Sequence, residues 1–405
     1  MAAATDDNAL QYHSRRMRRI VRLFRLEPAS GALMLTAIGL ALIAANSPAA
    51  AYYRLLHHAN LHFRIGALIL EGPLVFWINE GLMVFFFLLV GLEIKRQSIE
   101  GPLARPKSAA LSVFAAIGGM AVPALIYILL NLQDAIAIRG WAIPMATDIV
   151  LALGILSLLG DRIPANLRIF LTAFAIFDDI GSVIVIGAFY GGEIDIALLL
   201  VSCLVTTGLF LMNRFDIRRL RYYGMIGFAL WALMLESGLT ASLAGIVIAF
   251  SIPMRPSGDA LSSPLRELER RLHPWVILAI IPVFAFFNSG ISMETLPAHA
   301  LAGGAVSGIV LGLFLGKQIG IFAATWLAVR SGLAELPEGI SWIQIYGVAV
   351  LGGIGFTMSL FVASLAFGGG TIAAPAKFAI LAASGASAII GFAVLYFSSS
   401  RRHST

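Results

Sequence analysis

Two adjacent aspartates, Asp178 and Asp179, stand in the stretch FAIFDDIGSVIVIG, where nearly every other residue is apolar or small. Asp148 and Lys317 also fall in the interior of long apolar segments. If those segments cross a membrane, each ionised group costs at least about 2.5 to 3.5 kcal/mol on insertion scales. Water, mutual pairing or a bound cation must offset that cost, so these four residues predict a buried ion site.

The two neighbouring carboxylates are expected to have different tasks. Adjacent residues on a helix point about 100° apart, so Asp178 and Asp179 cannot both face one small ligand. Their mutual repulsion favours a proton on one of them near physiological pH, which permits a proton-carrying site without histidine. Asp148 is the natural third carboxylate, and Thr147 offers a hydroxyl or carbonyl oxygen. Hard oxygen ligands suit sodium or lithium, whereas zinc, copper and iron prefer histidine or cysteine.

Lys317 lies in the stretch GIVLGLFLGKQIG, in which glycines recur every fourth residue. They are Gly308, Gly312, Gly316 and Gly320. Small residues at this spacing let another helix approach closely. Beside such a contact, Lys317 is placed to pair with a buried aspartate of the segment that carries Asp178. Snorkelling to the interface is the competing interpretation, but Lys317 falls near the middle of its span.

The elements that must position these residues are membrane helices. Hydrophobic residues make up 59% of the 405 residues and charged residues 12%, against about 25% charged in soluble proteins. Apolar runs of about 20 residues, the length that crosses a bilayer, recur along nearly the whole chain. The composition therefore predicts an all-α polytopic membrane protein. The lone cysteine, Cys203, excludes a disulfide framework or a thiol-metal site.

Hydropathy windows of about 19 residues predict twelve membrane helices. Their approximate ranges are 29–46, 74–94, 108–130, 138–159, 165–190, 195–212, 222–236, 239–252, 274–290, 302–329, 341–367 and 372–397. The spans form a membrane domain over residues 29–398. A basic N-terminal tail at 1–28 precedes this domain, and a short tail at 399–405 follows it.

Lysine and arginine are distributed unevenly between the loops on the two sides. The loops on the side of the N-terminus hold fifteen of them, and the opposite loops hold Arg54, Arg64, Arg139 and Lys377. By the positive-inside rule, both termini are predicted to be cytoplasmic. The same rule accounts for the net charge of +6, so no nucleic-acid partner is implied.

Two of the predicted spans look interrupted. The first, GWAIPMATDIVLALG (140–154), contains a proline, Thr147 and Asp148, and the second, LGGIGFTMSLF (351–361), contains three glycines and Thr357. Unwound backbone at this depth is tolerated only where it faces protein or a water-filled cavity. Discontinuous helices in corresponding positions of two halves are typical of a transporter site. A kink made only for packing is the alternative for either break.

The segment LHFRIGALILEG (61–72) lies between the first two spans and has two short apolar-rich arms that meet at Gly66. This pattern favours a small extracytoplasmic β-hairpin. Its exposed edge is suited to pairing with another subunit. A plain surface loop is the alternative.

Charged residues also flank two spans. Glu93 lies at the cytoplasmic end of the second span, and Glu269 and His273 lie in a basic loop that opens the ninth. On pattern alone, interfacial and solvated positions account for them. Glu80 and Glu236 fit either the lining of a vestibule or a structural role.

Seven segments of the chain resemble the signature segments of the NhaA-type bacterial sodium/proton antiporters. They are GWAIPMATDIVLALG, IFDDIGSVIVIG, HPWVILAIIPVFAFFNSG, LGLFLGKQIGI, GGIGFTMSLFVASLAF, FFLLVGLEIKRQ and AAIGGMAVPALIY. The resemblance runs from about residue 25 to 395. It implies twelve helices, with a bundle of two inverted three-helix repeats that contain two discontinuous helices, beside a dimerisation domain. It also implies that the hairpin near 61–72 is the contact of a homodimer in the bacterial inner membrane.

For the site, the resemblance implies that Asp179 is the cation ligand and proton carrier. Asp178 then pairs with Lys317 when no cation is bound, while Asp148 and Thr147 compensate opposed helix ends and help to coordinate the ion. The cargo is Na⁺ or Li⁺, exchanged for H⁺ without a cofactor. Family members move more protons inward than sodium ions outward and are switched on by alkaline pH.

The resemblance extends to the pH response, with one departure. Glu93, Glu269 and His273 resemble residues of the family's cytoplasmic pH-responsive funnel. Thr240 stands where family members often have a histidine linked to the pH response. The family's pH profile is therefore not carried over to this chain, whereas its ion chemistry is.

The leading hypothesis is a secondary antiporter that extrudes sodium in exchange for external protons and so regulates pH and sodium. An intramembrane aspartyl protease is one alternative, since Asp148 and Asp179 on separate helices satisfy its need for two facing carboxylates. The protease hypothesis leaves Lys317 and the second broken helix without a role. A sodium-coupled symporter of an organic anion is a second alternative, although such a symporter needs a polar cavity rich in Asn, Gln and Ser.

Overall fold

The computed structural model of the chain describes residues 28–65, 68–100, 106–192, 195–254, 263–296 and 301–400. Among these residues, nine helices are long and apolar enough to cross a membrane, and a pair of helices bent by 41° at a short break makes a tenth candidate. The prediction of an all-α polytopic membrane protein is confirmed. Most of the two predicted tails, at 1–28 and 399–405, lies outside the described residues.

The N-terminal part of the chain holds three helices and the hairpin. They are α1 (Pro28–Ala45), α2 (Ala50–His57), β1 (Asn60–Ile65), β2 (Leu68–Pro73) and α3 (Leu74–Glu100). The two strands pair antiparallel, with Ile65 opposite Leu68 and His62 opposite Glu71. The predicted hairpin is confirmed in its strands, and its turn at 66–67 falls outside the described residues.

The middle of the chain holds six helices. They are α4 (Pro106–Asn131), α5 (Ile149–Leu158), α6 (Ala165–Phe189), α7 (Ile196–Arg214), α8 (Leu220–Glu236) and α9 (Ala244–Ser251). Short 3₁₀ turns at Ala137–Gly140 and Ile143–Met145 precede α5 and complete its span. The predicted spans at 222–236 and 239–252 correspond to α8 and to α9 with the turn before it. Both are shorter than the eighteen residues that the count of membrane helices requires.

The C-terminal part holds the remaining helices. They are α10 (Pro264–Ser289), α11 (Gly304–Arg330), α12 (Trp342–Leu351), α13 (Phe356–Phe367) and α14 (Ala373–Ser400). The helices α12 and α13 are the bent pair that the second predicted interruption separates. Single π-helical turns widen α3, α10 and α11 at Trp77–Leu82, Val276–Ile280 and Gly312–Gly316.

Two predicted boundaries are wrong, because α3 continues past 94 to Glu100 and α10 begins at Pro264 instead of 274. Arg96, Glu269 and His273 therefore lie on helices and not in loops. Hydropathy windows end at the first charged turn, but here the charged turns carry on as helix because they find partners across the fold. Lys95, for example, donates a hydrogen bond at 2.6 Å to the carbonyl of Phe250 near the end of α9.

Two apolar cores share α3 as a common wall. The larger gathers side chains from α1, α3 to α6 and α10 to α14, and the smaller lies between α3, α7, α8, α9 and the start of α10. In the larger core, α4 packs along α11 and α6, while α12 packs along α14. The helices that carry the candidate ion site all belong to the larger core.

The glycine stripe of α11 packs against α4, as its spacing predicts. A Cβ atom at Gly320 would meet the backbone of Gly118, and a Cβ atom at Gly118 would meet the backbone of Gly320. One turn away, Gly316 lies against the backbone of Pro123. The two helices therefore touch backbone to backbone within one turn of Lys317.

Glu80 has a structural role in the fold. Its carboxylate accepts a hydrogen bond at 3.0 Å from the backbone N–H of Ser242, in the turn that leads into α9. The indole N–H of Trp231 donates to the Glu80 carbonyl at 2.8 Å. These contacts satisfy a buried acidic residue and join α3 to the helices of the smaller core.

Candidate ion-binding site

The two interrupted spans cross each other at their breaks. The backbone N–H of Asp148 donates to the carbonyl of Ile354 at 2.6 Å. The hydroxyl of Thr147 donates to the carbonyl of Gly352 at 2.9 Å. Each unwound segment thereby satisfies backbone groups that the other leaves open, which is the condition for irregular backbone at membrane depth.

Asp148 caps two helices at once. Its Oδ1 accepts from the N–H of Leu151 at 2.9 Å, at the start of α5. Its Oδ2 accepts from the N–H of Thr357 at 3.0 Å and from the Thr357 hydroxyl at 2.5 Å, at the start of α13. A carboxylate in this position satisfies free N–H groups and opposes the positive ends of both helices. Both of its oxygens are occupied, which fits the expected compensation of helix ends.

Lys317 and Asp178 form an ion pair with no exposed surface on either side chain. The Lys317 Nζ lies 2.9 Å from Asp178 Oδ1 and 3.0 Å from Oδ2. It also donates to the hydroxyl of Thr147 at 2.9 Å. The ring of Phe174, one turn before Asp178, lies 5.8 Å from the ammonium. The pair thus joins α6, α11 and the first break.

Asp179 lies in the same interior but without such partners. Its side chain is 3% exposed, and its Oδ1 has no hydrogen-bond partner among the residues that the structure describes. Buried polar atoms are bonded in the large majority of cases. The charges of Asp178 and Asp148 also act on it. Asp179 is therefore the carboxylate of the site with capacity left for a ligand.

The aspartates do not form a preassembled metal cage. Within the described ranges, no three Asp, Glu, His or Cys side chains converge on a point where one metal ion would be held. Asp178 faces Lys317 and Asp148 faces the two helix ends. The structure thus brings Asp178, Lys317 and Thr147 into direct contact and leaves Asp179 beside them.

Arg96 bridges two of the residues that the resemblance links to the pH response, Glu93 on α3 and Glu269 near the start of α10. The Nε atom of Arg96 donates to both carboxylate oxygens of Glu269 at 2.9 Å. Another guanidinium nitrogen of Arg96 lies 3.8 Å from Glu93. His273 lies one turn beyond Glu269 on α10, half-buried.

Two residues of these contacts were not recognised from the sequence. Arg96, which bridges Glu93 and Glu269, counted only as a topological charge, although its spacing of three residues from Glu93 indicated a pair on one helix face. Thr357 was assigned only to the second break. The signal for its role is a hydroxyl residue just after a glycine-rich break, where a helix start needs polar partners.

Nearly the whole chain is similar in sequence to known antiporters. A family model described as Na+/H+ antiporter 1 matches residues 21–395. The Na(+)/H(+) antiporter NhaA of Rhodospirillum rubrum is 49% identical over 390 residues, which cover 94% of this chain and 98% of that protein. The Na(+)/H(+) antiporter NhaA 1 of Pseudomonas putida is 48% identical over 375 residues, covering 92% and 94% of the two chains.

A solved structure supports the fold alone. The sodium proton antiporter MjNhaP1 of Methanocaldococcus jannaschii, determined at pH 8, matches with a TM-score of 0.50 and 12% identity. The match covers 94% of this chain and 98% of that one. An antiporter architecture therefore accommodates nearly the whole chain.

These findings decide between the alternatives drawn from the sequence. The aspartyl protease interpretation is wrong, because the matched family is a family of transporters and Asp148 uses both carboxylate oxygens to cap helices. The organic anion symporter is excluded by the same family match. From residue 21 to residue 395, the chain belongs to the Na+/H+ antiporter 1 family.

Proposed function

We propose that this chain exchanges sodium or lithium for protons across a bacterial inner membrane, with Asp179 as the group that binds cation and proton in turn. The observation that carries the assignment is the buried Asp179 carboxylate, whose Oδ1 has no hydrogen-bond partner in the described part of the chain. Such an oxygen gains a partner when either a proton or a cation binds. Because the two ligands compete for one carboxylate, each displaces the other, and this competition becomes exchange when the site opens alternately to the two sides.

Lys317 competes with the cation for the Asp178 carboxylate. Its ammonium neutralises Asp178 at 2.9 Å. A cation that enters beside Asp179 draws on the Asp178 carboxylate and weakens its contact with Lys317. Thr147, which already accepts a hydrogen bond from Lys317, offers a further hard oxygen to the ion. Departure of the cation restores the ion pair.

The site holds more groups that exchange protons than one monovalent cation requires. Asp178, Asp179 and Lys317 all lie in the buried cluster. Exchange of more than one proton for each cation follows if two of these groups titrate in the cycle, and the exchange is then electrogenic. In this proposal sodium leaves the cytoplasm and protons enter, which regulates internal pH and sodium.

Orientation, regulation and assembly complete the proposal. The excess of Lys and Arg on one side supports cytoplasmic termini. Arg96, Glu93 and Glu269 would then form, with His273, a cytoplasmic cluster that responds to pH. The free edge of the hairpin β1–β2 supports a homodimer formed by strand pairing.

The test is exchange by the purified protein in proteoliposomes with an internal pH dye. A gradient of sodium or lithium is expected to drive proton movement in the wild type, and a potassium gradient is not. Asp179→Asn is expected to reduce the sodium-driven signal to the level of empty liposomes. Asp134→Asn, which changes an exposed aspartate in a loop, is the matched control. Full exchange by Asp179→Asn overturns the assignment.

A further inference from the structure

A cavity of about 290 Å³ lies between α2, the end of α10 and the start of α14. Four basic side chains line it: Arg54 and His57 from α2, His58 directly after α2, and Lys377 from α14. Among the residues that the structure describes, no aspartate or glutamate lines it. The cavity thus concentrates basic side chains without an acidic partner from the described part of the chain.

The wall that α2 contributes is fixed in place. The Tyr53 hydroxyl donates to the carbonyl of Phe286 at 2.7 Å. The Nε2 of His57 lies 3.0 Å from the carbonyl of Phe287, and because a carbonyl only accepts, this nitrogen carries the proton. These bonds hold α2 against the last turn of α10. The basic residues of α2 therefore have a defined position at the cavity.

The opposite wall adds two further positive elements. Lys377 is half-buried one turn into α14, and it forms no ion pair with any residue in the described part of the chain. Ala373 and Ala374, at the N-terminus of α14, also line the cavity. The N-terminal end of a long helix carries a partial positive charge. Both walls consequently favour a negatively charged ligand.

We propose that this cavity binds a phosphate-type oxyanion, which bridges Lys377 on α14 and the basic residues of α2. An oxyanion accepts several charge-assisted hydrogen bonds at once and matches donors on two walls. The membrane helices α1 and α10 end at the cavity and α14 begins there, at the depth where phospholipid headgroups lie. The anion therefore comes either from a lipid headgroup or from free inorganic phosphate.

The pKa of His57 is consistent with an oxyanion in the cavity. Burial and the charge of Lys377 lower the pKa of His57. A bound oxyanion opposes the effect of the lysine and favours protonation of the histidine. Because the ligand would contact both walls, it would also connect α2 and α10 to α14. The helix α14 packs against the bent pair α12 and α13.

The experiment measures thermal unfolding of the full-length, delipidated protein in detergent at constant ionic strength. One arm adds inorganic phosphate, and the other adds short-chain phosphatidylglycerol, with phosphatidylcholine as the zwitterionic comparison. A ligand that binds only the folded protein raises its unfolding temperature in a saturable way. Lys377→Gln is expected to weaken the apparent affinity by about tenfold or more, as the loss of a charge-assisted hydrogen bond requires.

Two controls separate binding from a folding defect. Lys377→Arg keeps the charge and should retain most of the affinity, while Arg139→Gln changes an exposed basic residue that does not line the cavity and should retain all of it. Saturable stabilisation by phosphate, by phosphatidylglycerol or by both, lost in Lys377→Gln alone, supports the site and identifies the source. No saturable stabilisation in either arm, or equal stabilisation of Lys377→Gln and Arg139→Gln, overturns it.

Discussion

The ammonium of Lys317 lies against both carboxylate oxygens of Asp178, at 2.9 and 3.0 Å, and neither side chain is exposed. The partners come from α11 and α6, which are 139 positions apart in the sequence at this contact. A buried ion pair of this kind depends on both members, because either one alone is an uncompensated charge in a medium of low polarity.

Loss of Lys317 should therefore be more harmful to stability than loss of the whole pair. Lys317→Gln leaves Asp178 without its partner, and breaking a buried ion pair typically costs about 3 to 5 kcal/mol. The double variant Lys317→Gln with Asp178→Asn is expected to recover part of that loss, because it removes both charges. The measurement is thermal unfolding, in one detergent, of the wild type, the two single variants Lys317→Gln and Asp178→Asn, and the double variant. Losses from the two single changes that simply add in the double variant would contradict a coupled pair.

Asp148 and Asp179 should respond differently to the same substitution. Asn at 148 can still accept from Leu151, but its amide nitrogen cannot accept from Thr357, so a loss of about 1 to 3 kcal/mol is expected. Asn at 179 removes no hydrogen bond that the described residues make to Oδ1, so a smaller loss than at 148 is expected there. Denaturation midpoints of the two variants, read against the wild type, check the contrast. The opposite order of stability would contradict the assigned roles.

The contact between α4 and α11 predicts sensitivity to a single methyl group. Gly320→Ala places a Cβ against the backbone of Gly118, and such overpacking typically costs about 1 to 3 kcal/mol. Gly208→Ala on α7 is the matched control, because a Cβ there meets nothing within 4 Å. The control is expected to be neutral or to stabilise the helix by about 0.5 to 1 kcal/mol. Equal unfolding temperatures for the two variants would argue against the close crossing.

Stability should also depend on pH through His57. Burial lowers its pKa below the ordinary value of 6.5, and the charges of Lys377 and His58 add to the effect, against a hydrogen bond to Phe287. Below pH 6.5 the unfolded chain binds a proton on this histidine that the folded chain does not. The free energy of unfolding therefore falls as the pH drops through 6.5, until the lower folded pKa is reached.

His57→Gln removes this contribution, so we expect a shallower loss of stability on acidification. The measurement is the unfolding temperature between about pH 5 and 8 in phosphate-free buffer, the range in which histidine titrates. Parallel slopes for wild type and His57→Gln would rule out the proposed linkage.

The sequence was sufficient for those features that depend on local pattern. Apolar length located the helices, glycine spacing located the close face of α11, and the cost of burying charge identified Asp178, Asp179 and Lys317. It was insufficient at the ends of α3 and α10, since hydropathy stops at charged residues such as Arg96 that continue the helix by pairing with Glu269.

The contact between the two breaks could not be predicted from the sequence pattern, for a different reason. The acceptors of Thr147 and of the Asp148 N–H are the carbonyls of Gly352 and Ile354, and every residue has a carbonyl. Only the three-dimensional arrangement decides which of them face the first break. The double capping by Asp148 is likewise a property of two helices brought together, and neither helix sequence contains it.

The hydrogen bonds between the breaks also bear on how the protein moves. With Asp148 bonded to Ile354 and capped onto Thr357, a shift of one interrupted span pulls the other with it. Thr147 extends this connection to the Lys317 ammonium on α11. A movement of either interrupted span by itself would therefore have to break buried hydrogen bonds beside the ion site.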